Sequence, residues 1–253
     1  MFAKLNHIHM YFEEQGQGKP VILLHGLALN GSIWSDVVNL FDDQVHFVVP
    51  DIRGHGRTET GNSNGSLEQF ADDLQALADH LELEKFTLVG HSMGGYVSLK
   101  FAEKYPERLE GLVMVTSNAR SDTPEKREAR FAEAELVIGS GMTAIAETMV
   151  QKLTTLTEFR QKVVPIINNT DPKGFFNVQH AIASRKNQLN LLGNLSIPVL
   201  AIAGSEDQLM KSEVAYEMAR ASKLGSVVIL PGIGHLPMLE EPLALGSLIV
   251  SVL

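Results

Sequence analysis

Short, continuously apolar runs alternate along this chain with longer segments in which apolar residues recur every three or four positions. Val21-Ile22-Leu23-Leu24 and Leu112-Val113-Met114-Val115 present no polar face. Strands of that kind are buried on both sides, as in a mostly parallel sheet covered by helices. Further β-branched runs bounded by glycine, proline or histidine predict strands at residues 9–13, 45–50, 86–90, 199–203 and 227–230. The first of these mixes polar and apolar residues and suits an edge hairpin. Between the strands, Leu67, Phe70, Leu74, Leu77 and Leu81 repeat at helical spacing. Ser66 stands where a cap is needed, with Gln69 three residues on, so a helix is expected over residues 66–81.

The alternation stops after Thr116. Residues 124–138, 142–156, 158–167 and 175–189 read as helices, separated by Gly139-Ser140-Gly141 and by Thr170-Asp171-Pro172, and the strand rhythm resumes at Val199. A helical block inside a β/α series reads as an insertion, because the strands on either side belong to one sheet. The expected organisation is therefore a core of residues 1–117 and 191–253 carrying a helical cap (lid) over residues 118–190. Residues 243–253 read as a last helix covering the sheet, with an oligomer contact as the other use of that apolar stretch. Sequence leaves monomer and homodimer equally open.

Composition narrows the function classes. With 253 residues, 44% hydrophobic and 20% charged, the chain is too apolar for disorder and long enough for a large core. A net charge of −9 argues against nucleic acid or an anionic membrane as a partner held by bulk electrostatics. The cysteine count of 0 removes disulfides, thiolate-bound zinc and a thiol nucleophile. Histidine, glutamate and glycine interrupt the amino terminus before a signal-peptide core could form, and no window approaches the roughly 20 apolar residues of a membrane span. A cytoplasmic protein is expected.

Candidate chemistry centres on Gly90-His91-Ser92-Met93-Gly94, which follows one predicted strand and precedes a predicted helix. A serine between strand and helix sits on a sharp turn that projects its hydroxyl, and glycines two positions away leave room for it. The hydroxyl needs a base. Of the 9 histidines, His235 follows the last strand candidate in Pro231-Gly232-Ile233-Gly234, the sheet end where Ser92 also lies. His91 adjoins the serine but points elsewhere on such a turn, while His25, His55 and His180 lack a late-strand loop position. The base needs a carboxylate, and both Glu206 and Asp207 follow the strand at 199–203. Backbone donors for an oxyanion are expected at Met93, next to the nucleophile, and at Leu27, where Gly26 is expected to let the chain turn tightly.

Taken together, His25-Gly26, Asp51-Ile52-Arg53-Gly54-His55-Gly56-Arg57-Thr58, the Ser92 turn and the loops of Asp207 and His235 resemble the α/β-hydrolase family over essentially the whole chain outside the cap. The resemblance implies an eight-stranded, mostly parallel sheet and the chain order Ser…Asp…His, which selects Asp207 over Glu206 as the acid. It implies no catalytic part for the 51–58 stretch. Serine at the elbow sets the chain apart from the aspartate-bearing dehalogenases and epoxide hydrolases. The expectation is a serine esterase for small or medium acyl chains that needs neither metal nor organic cofactor. Trp34, Met142, Ile145, Met149 and Phe159 could line its pocket, although residues at helical spacing in a lid more often form the lid's own core. Lactone, thioester or peracid chemistry would use the same triad. A ligand-binding module on the same fold, as in plant hormone receptors that resemble these enzymes, is the reading from a different class.

Overall fold

A computed structural model describes residues 1–62 and 65–253 of the chain. The strands are β1 (Phe2–Leu5), β2 (Ile8–Gln15), β3 (Lys19–Leu24), β4 (Val45–Pro50), β5 (Phe86–His91), β6 (Leu109–Val115), β7 (Val199–Gly204) and β8 (Gly225–Leu230). Before the helical block come α1 (Ser35–Phe41), α2 (Leu67–His80) and α3 (Met93–Lys104). The block itself, between β6 and β7, is α4 (Pro124–Ser140), α5 (Thr143–Leu153), α6 (Thr157–Asn168) and α7 (Pro172–Ala183), followed by the short α8 (Leu189–Leu192). The chain closes with α9 (Ser212–Ala221), α10 (Pro237–Glu240) and α11 (Pro242–Val250).

The strands form one 8-stranded sheet in the order β1-β2-β4-β3-β5-β6-β7-β8. The β1–β2 and β2–β4 pairs are antiparallel, and all the others are parallel. Side chains of the central strands divide between two apolar layers. Ile22, Leu24, Leu88, Leu112 and Met114 pack on the layer that holds α2 and α3. Val21, Leu23, Val89, Val113 and Val115 pack on the layer that holds α1, α11 and much of the helical block. This two-sided burial is the physical reason that the central strands carry unbroken apolar runs.

Ser66 caps α2 by accepting the Gln69 amide at 3.1 Å, as its spacing predicts. Several helix boundaries differ from expectation, and α5 ends at Leu153, ahead of residue 156. Helix α4 runs through Gly139 and Ser140 and stops only at Gly141, whose φ of 76° suits a glycine. Helix α7 starts at Pro172, because Asp171 caps the Lys173 amide at 3.0 Å and proline suits a first turn; it ends at Ala183, short of residue 189. Strand β1 was not expected as a separate element. Its four residues pair with β2 from Phe2↔Tyr11 to Leu5↔Ile8, and this hydrogen bonding leaves little trace in so short a sequence.

The 51–58 stretch braces the loops at the carboxyl end of the sheet. Asp51 accepts the amides of Gly31 (2.7 Å) and Arg57 (2.8 Å). Arg53 grips Asp73 of α2 with Nε–Oδ2 at 2.6 Å and Nη2–Oδ1 at 2.7 Å, both side chains buried. Among the described residues, no helix is long and apolar enough to cross a membrane.

Candidate active site

Ser92 joins the end of β5 directly to the start of α3, with φ 50° and ψ −112°. A non-glycine residue held there costs about 1–3 kcal/mol, and the surroundings hold it firmly. Its amide donates to Val115 O (2.9 Å), and its carbonyl accepts Gly95 N (3.0 Å) and Ser117 Oγ (2.7 Å). The glycines on either side are required by space. A Cβ on Gly90 would lie 2.5 Å from Gly95 N, and one on Gly94 would lie 2.7 Å from Leu24 O. At the start of α3 the amides of Met93 and Gly94 have no carbonyl within the helix to reach, and the helix directs its positive end toward the serine turn.

The loops after β7 and β8 bring Asp207 and His235 together. His235 Nδ1 lies 2.7 Å from Asp207 Oδ2, and both side chains are essentially excluded from solvent. A carboxylate can only accept, so Nδ1 carries the proton and Nε2 keeps a lone pair. That Nε2 is buried and makes no hydrogen bond among the described residues. Asp207 is fixed in turn by the amides of Leu209 (2.7 Å) and Met210 (3.0 Å) on Oδ1. Glu206, the competing acid, is exposed and accepts the hydroxyl of Ser205 at 3.3 Å.

Three side chains with no role assigned from the sequence hold the His235 backbone. Glu240 accepts the amides on both sides of it, Gly234 N at 2.7 Å and Leu236 N at 3.3 Å. His91 Nε2 lies 2.9 Å from the His235 carbonyl, and Thr116 Oγ1 reaches the same oxygen at 3.1 Å. The His91 and His235 rings stand 5.0 Å apart at 56°. Adjacency to Ser92 is the only sequence signal His91 carries, and Thr116 and Glu240 carry none.

Gly26 is required for a reason other than the expected one. Its φ is not positive; the left-handed residue of that loop is Ala28, at φ 55°. A side chain on Gly26 would instead strike the His91 ring, with Cβ 2.8 Å from Nδ1. The Leu27 amide donates to no backbone carbonyl among the described residues. Nearby, His25 accepts the Ile52 amide on Nε2 (2.9 Å), its Nδ1 lies 2.8 Å from Gly26 O, and its ring faces His55 at 5.2 Å. Burial pushes His25 down to about 4 and His55 to about 3, the latter helped by the neighbouring His25. Burial also holds His91 well below the ordinary histidine value. All three are neutral structural imidazoles at pH 7.

Of the expected lining residues, Trp34 is wholly buried, and Met142 and Ile145 nearly so, in the apolar layer that also holds Leu230, Leu236 and Met238. Met149 packs at the margin of that layer. Phe159 is half-buried on α6, with Lys162 Nζ 5.7 Å from its ring centre. Among the described residues, no group of three or more His, Asp or Glu side chains is arranged to hold a metal ion.

Comparison with known proteins gives this geometry a context. Residues 19–242 match the family described as alpha/beta hydrolase fold. A solved structure of a thermophilic esterase from Thermogutta terrifontis is 35% identical, superposes with a TM-score of 0.93, and is covered over 92% of its chain by 96% of this one. A protein named 3-oxoadipate enol-lactonase 2 from Acinetobacter baylyi is 26% identical over 245 residues, 94% of this chain and 90% of its own length. The enol-lactonase structure from Burkholderia xenovorans LB400 shares the fold at 22% identity and a TM-score of 0.91, with 100% of this chain and 99% of that one covered.

Proposed function

The chain belongs to the α/β-hydrolase fold family and is a hydrolase, and from that premise we propose that it cleaves carboxylic esters of small to medium acyl chain through an acyl-enzyme on Ser92. The observation that carries the reading is the buried His235–Asp207 pair, whose one unbonded ring nitrogen belongs to the same cluster of loops as a strained serine. In the proposed reaction His235 Nε2 takes the proton of Ser92 Oγ as the oxygen attacks the ester carbon. Asp207 stabilises the imidazolium. The amides of Leu27 and Met93 hold the oxyanion, each donor contributing on the order of 10²–10³ in rate. The tetrahedral adduct then expels the alkoxide, which leaves as the alcohol with the proton from His235. Water, deprotonated by the same nitrogen, attacks the acyl carbon, and collapse returns the proton to Ser92 and releases the acid. Residues 118–190 serve as the cap over this site in the same reading.

A lactone ring is the second substrate class, supported by the enol-lactonase relative. Ring opening follows the same steps, with the leaving alkoxide tethered to the acyl group. Incubation with a fluorophosphonate, followed by peptide mass analysis, is expected to mark Ser92, and Ser92→Ala is expected to abolish turnover of p-nitrophenyl butyrate with the fold intact. An unlabelled Ser92 together with no turnover of linear esters or lactones would overturn the hydrolytic site. Turnover of lactones alone would select the second class.

A further inference from the structure

His91 and Thr116 stand at the ends of adjacent parallel strands, His91 as the last residue of β5 and Thr116 just beyond β6. Both side chains are buried, and both reach the same atom, the carbonyl oxygen of His235. A carbonyl oxygen has no proton to give, so His91 must carry its hydrogen on Nε2 and leave Nδ1 bare. That bare nitrogen is buried without a partner among the described residues, against the face of Gly26. Thr116 is a β-branched residue at φ 44°, a backbone conformation such residues rarely adopt. The fold thus tolerates one strained residue and one unsatisfied buried nitrogen at the two groups that hold a single carbonyl. An apolar ring at position 91 would avoid the bare nitrogen, and glycine at position 116 would relieve the backbone strain, so packing alone explains neither residue.

We propose that His91 and Thr116 are positioning residues that clamp the His235 backbone in the same frame as Ser92. The frame is shared because Ser92 is itself fastened to these two strand ends: it follows His91 in the chain, and its amide donates to Val115, the neighbour of Thr116. Two donors on the carbonyl prevent the His235 peptide from rotating, and that rotation would swing Nε2 away from the serine hydroxyl. The His91 ring extends the frame to the loop of Leu27, since it fills the space that a side chain at position 26 would need. Nucleophile, base and oxyanion loop are therefore registered against one neutral imidazole. The inference rests on the proposed roles of Ser92 and His235.

The test separates a hydrogen-bond clamp from simple filling of space. His91→Phe keeps a ring and deletes the donor, whereas His91→Gln loses the ring and keeps an amide donor of similar reach. The clamp predicts that His91→Phe lowers kcat for p-nitrophenyl butyrate by about 10- to 100-fold with KM little changed. It predicts that His91→Gln recovers most of the loss, to within about fivefold of the parent. Thr116→Val is expected to lower kcat by a smaller factor, and the pair His91→Phe/Thr116→Val to lose more than the product of the single effects, because each donor backs up the other. Circular dichroism and thermal melts of each variant restrict the comparison to folded protein. Full kcat in His91→Phe, or a His91→Gln variant worse than His91→Phe, would overturn the clamp in favour of packing. Should both His91 variants fail to fold, Thr116→Val decides: unchanged kcat overturns the clamp. Ser92→Ala is measured in parallel. Residual turnover there defeats the hydrolase site itself, whereas a dead Ser92→Ala beside an unimpaired His91→Phe defeats only the clamp.

Discussion

At the scale of single residues, the choice between the two neighbouring acids shows what chemistry leaves open and geometry narrows. Glu206 and Asp207 are equivalent as carboxylates, and both follow β7. Only Asp207 turns inward, because the amides of Leu209 and Met210 hold one of its oxygens and leave the other for His235. Asp207→Asn is expected to reduce kcat for p-nitrophenyl butyrate by about 10³–10⁴-fold, since an amide there favours the wrong imidazole tautomer. Glu206→Gln is expected to leave kcat within about twofold, as an exposed side chain with one weak partner. Steady-state kinetics on the two variants checks both, and the reverse order would move the acid to Glu206. Gly26 teaches a similar lesson. Glycine there was legible as necessary, but its reason was not: the constraint is the His91 ring, 65 residues further along the chain.

At the scale of elements, strands were easier to read than the attachment of the helical block. The apolar runs at 21–24 and 199–203 fall on β3 and β7 because burial on both faces leaves no polar position to confuse them. The block meets the core by contacts that no periodicity encodes. Gly174 of α7 lies so close to Gly54 that a Cβ on it would collide with the Gly54 carbonyl oxygen at 2.1 Å. Asp122, ahead of α4, is buried between Arg130 of α4 and Arg185 beyond α7. Burial alone would raise its carboxyl, but hydrogen bonds from Arg185 and Arg130 outweigh that and hold it below the ordinary value. The charge run of residues 120–130 reads in sequence as a solvated helix face, yet two of its members form this buried junction. Asp122→Ala strands the Arg185 guanidinium, itself only 5% exposed, without a counter-charge. The expected cost is about 3–5 kcal/mol, seen as a fall of about 10 °C in Tm in a thermal melt. An unchanged Tm would show that the junction contributes nothing to holding the block.

At the scale of the whole molecule, the buried histidines set the acid limit of the fold. His25, His55 and His91 are neutral when folded and become ordinary histidines, with values near 6.5, when the chain unfolds. Above about pH 6.5 both states are neutral at these positions and stability does not depend on them. As pH falls below 6.5 the unfolded chain takes up protons that the folded one refuses, until about 4 for His25 and about 3 for His55. His25 and His55 should therefore each remove about 2 kcal/mol of stability between pH 7 and pH 5, and His91 acts in the same direction. Asp51, raised by burial, works in the opposite direction as its carboxyl takes up a proton in the folded state. Urea midpoints are expected to be flat from pH 8 to pH 7 and to fall steeply by pH 5; a midpoint unchanged at pH 5 would contradict neutral burial of the three rings. The sequence by itself determined the sheet, the inserted helices and the turn at Ser92, because two-sided burial and a strained strand-to-helix turn each demand a local pattern of residue types. Residue chemistry left two acids open until the family resemblance chose Asp207, and only the tertiary structure decided how that acid is held, what Gly26 makes room for, and how Glu240, His91 and Thr116 grip one loop. Those choices depend on distances between residues far apart in the chain, and a hydrogen bond or a van der Waals contact across such a gap imposes no spacing that a sequence can display.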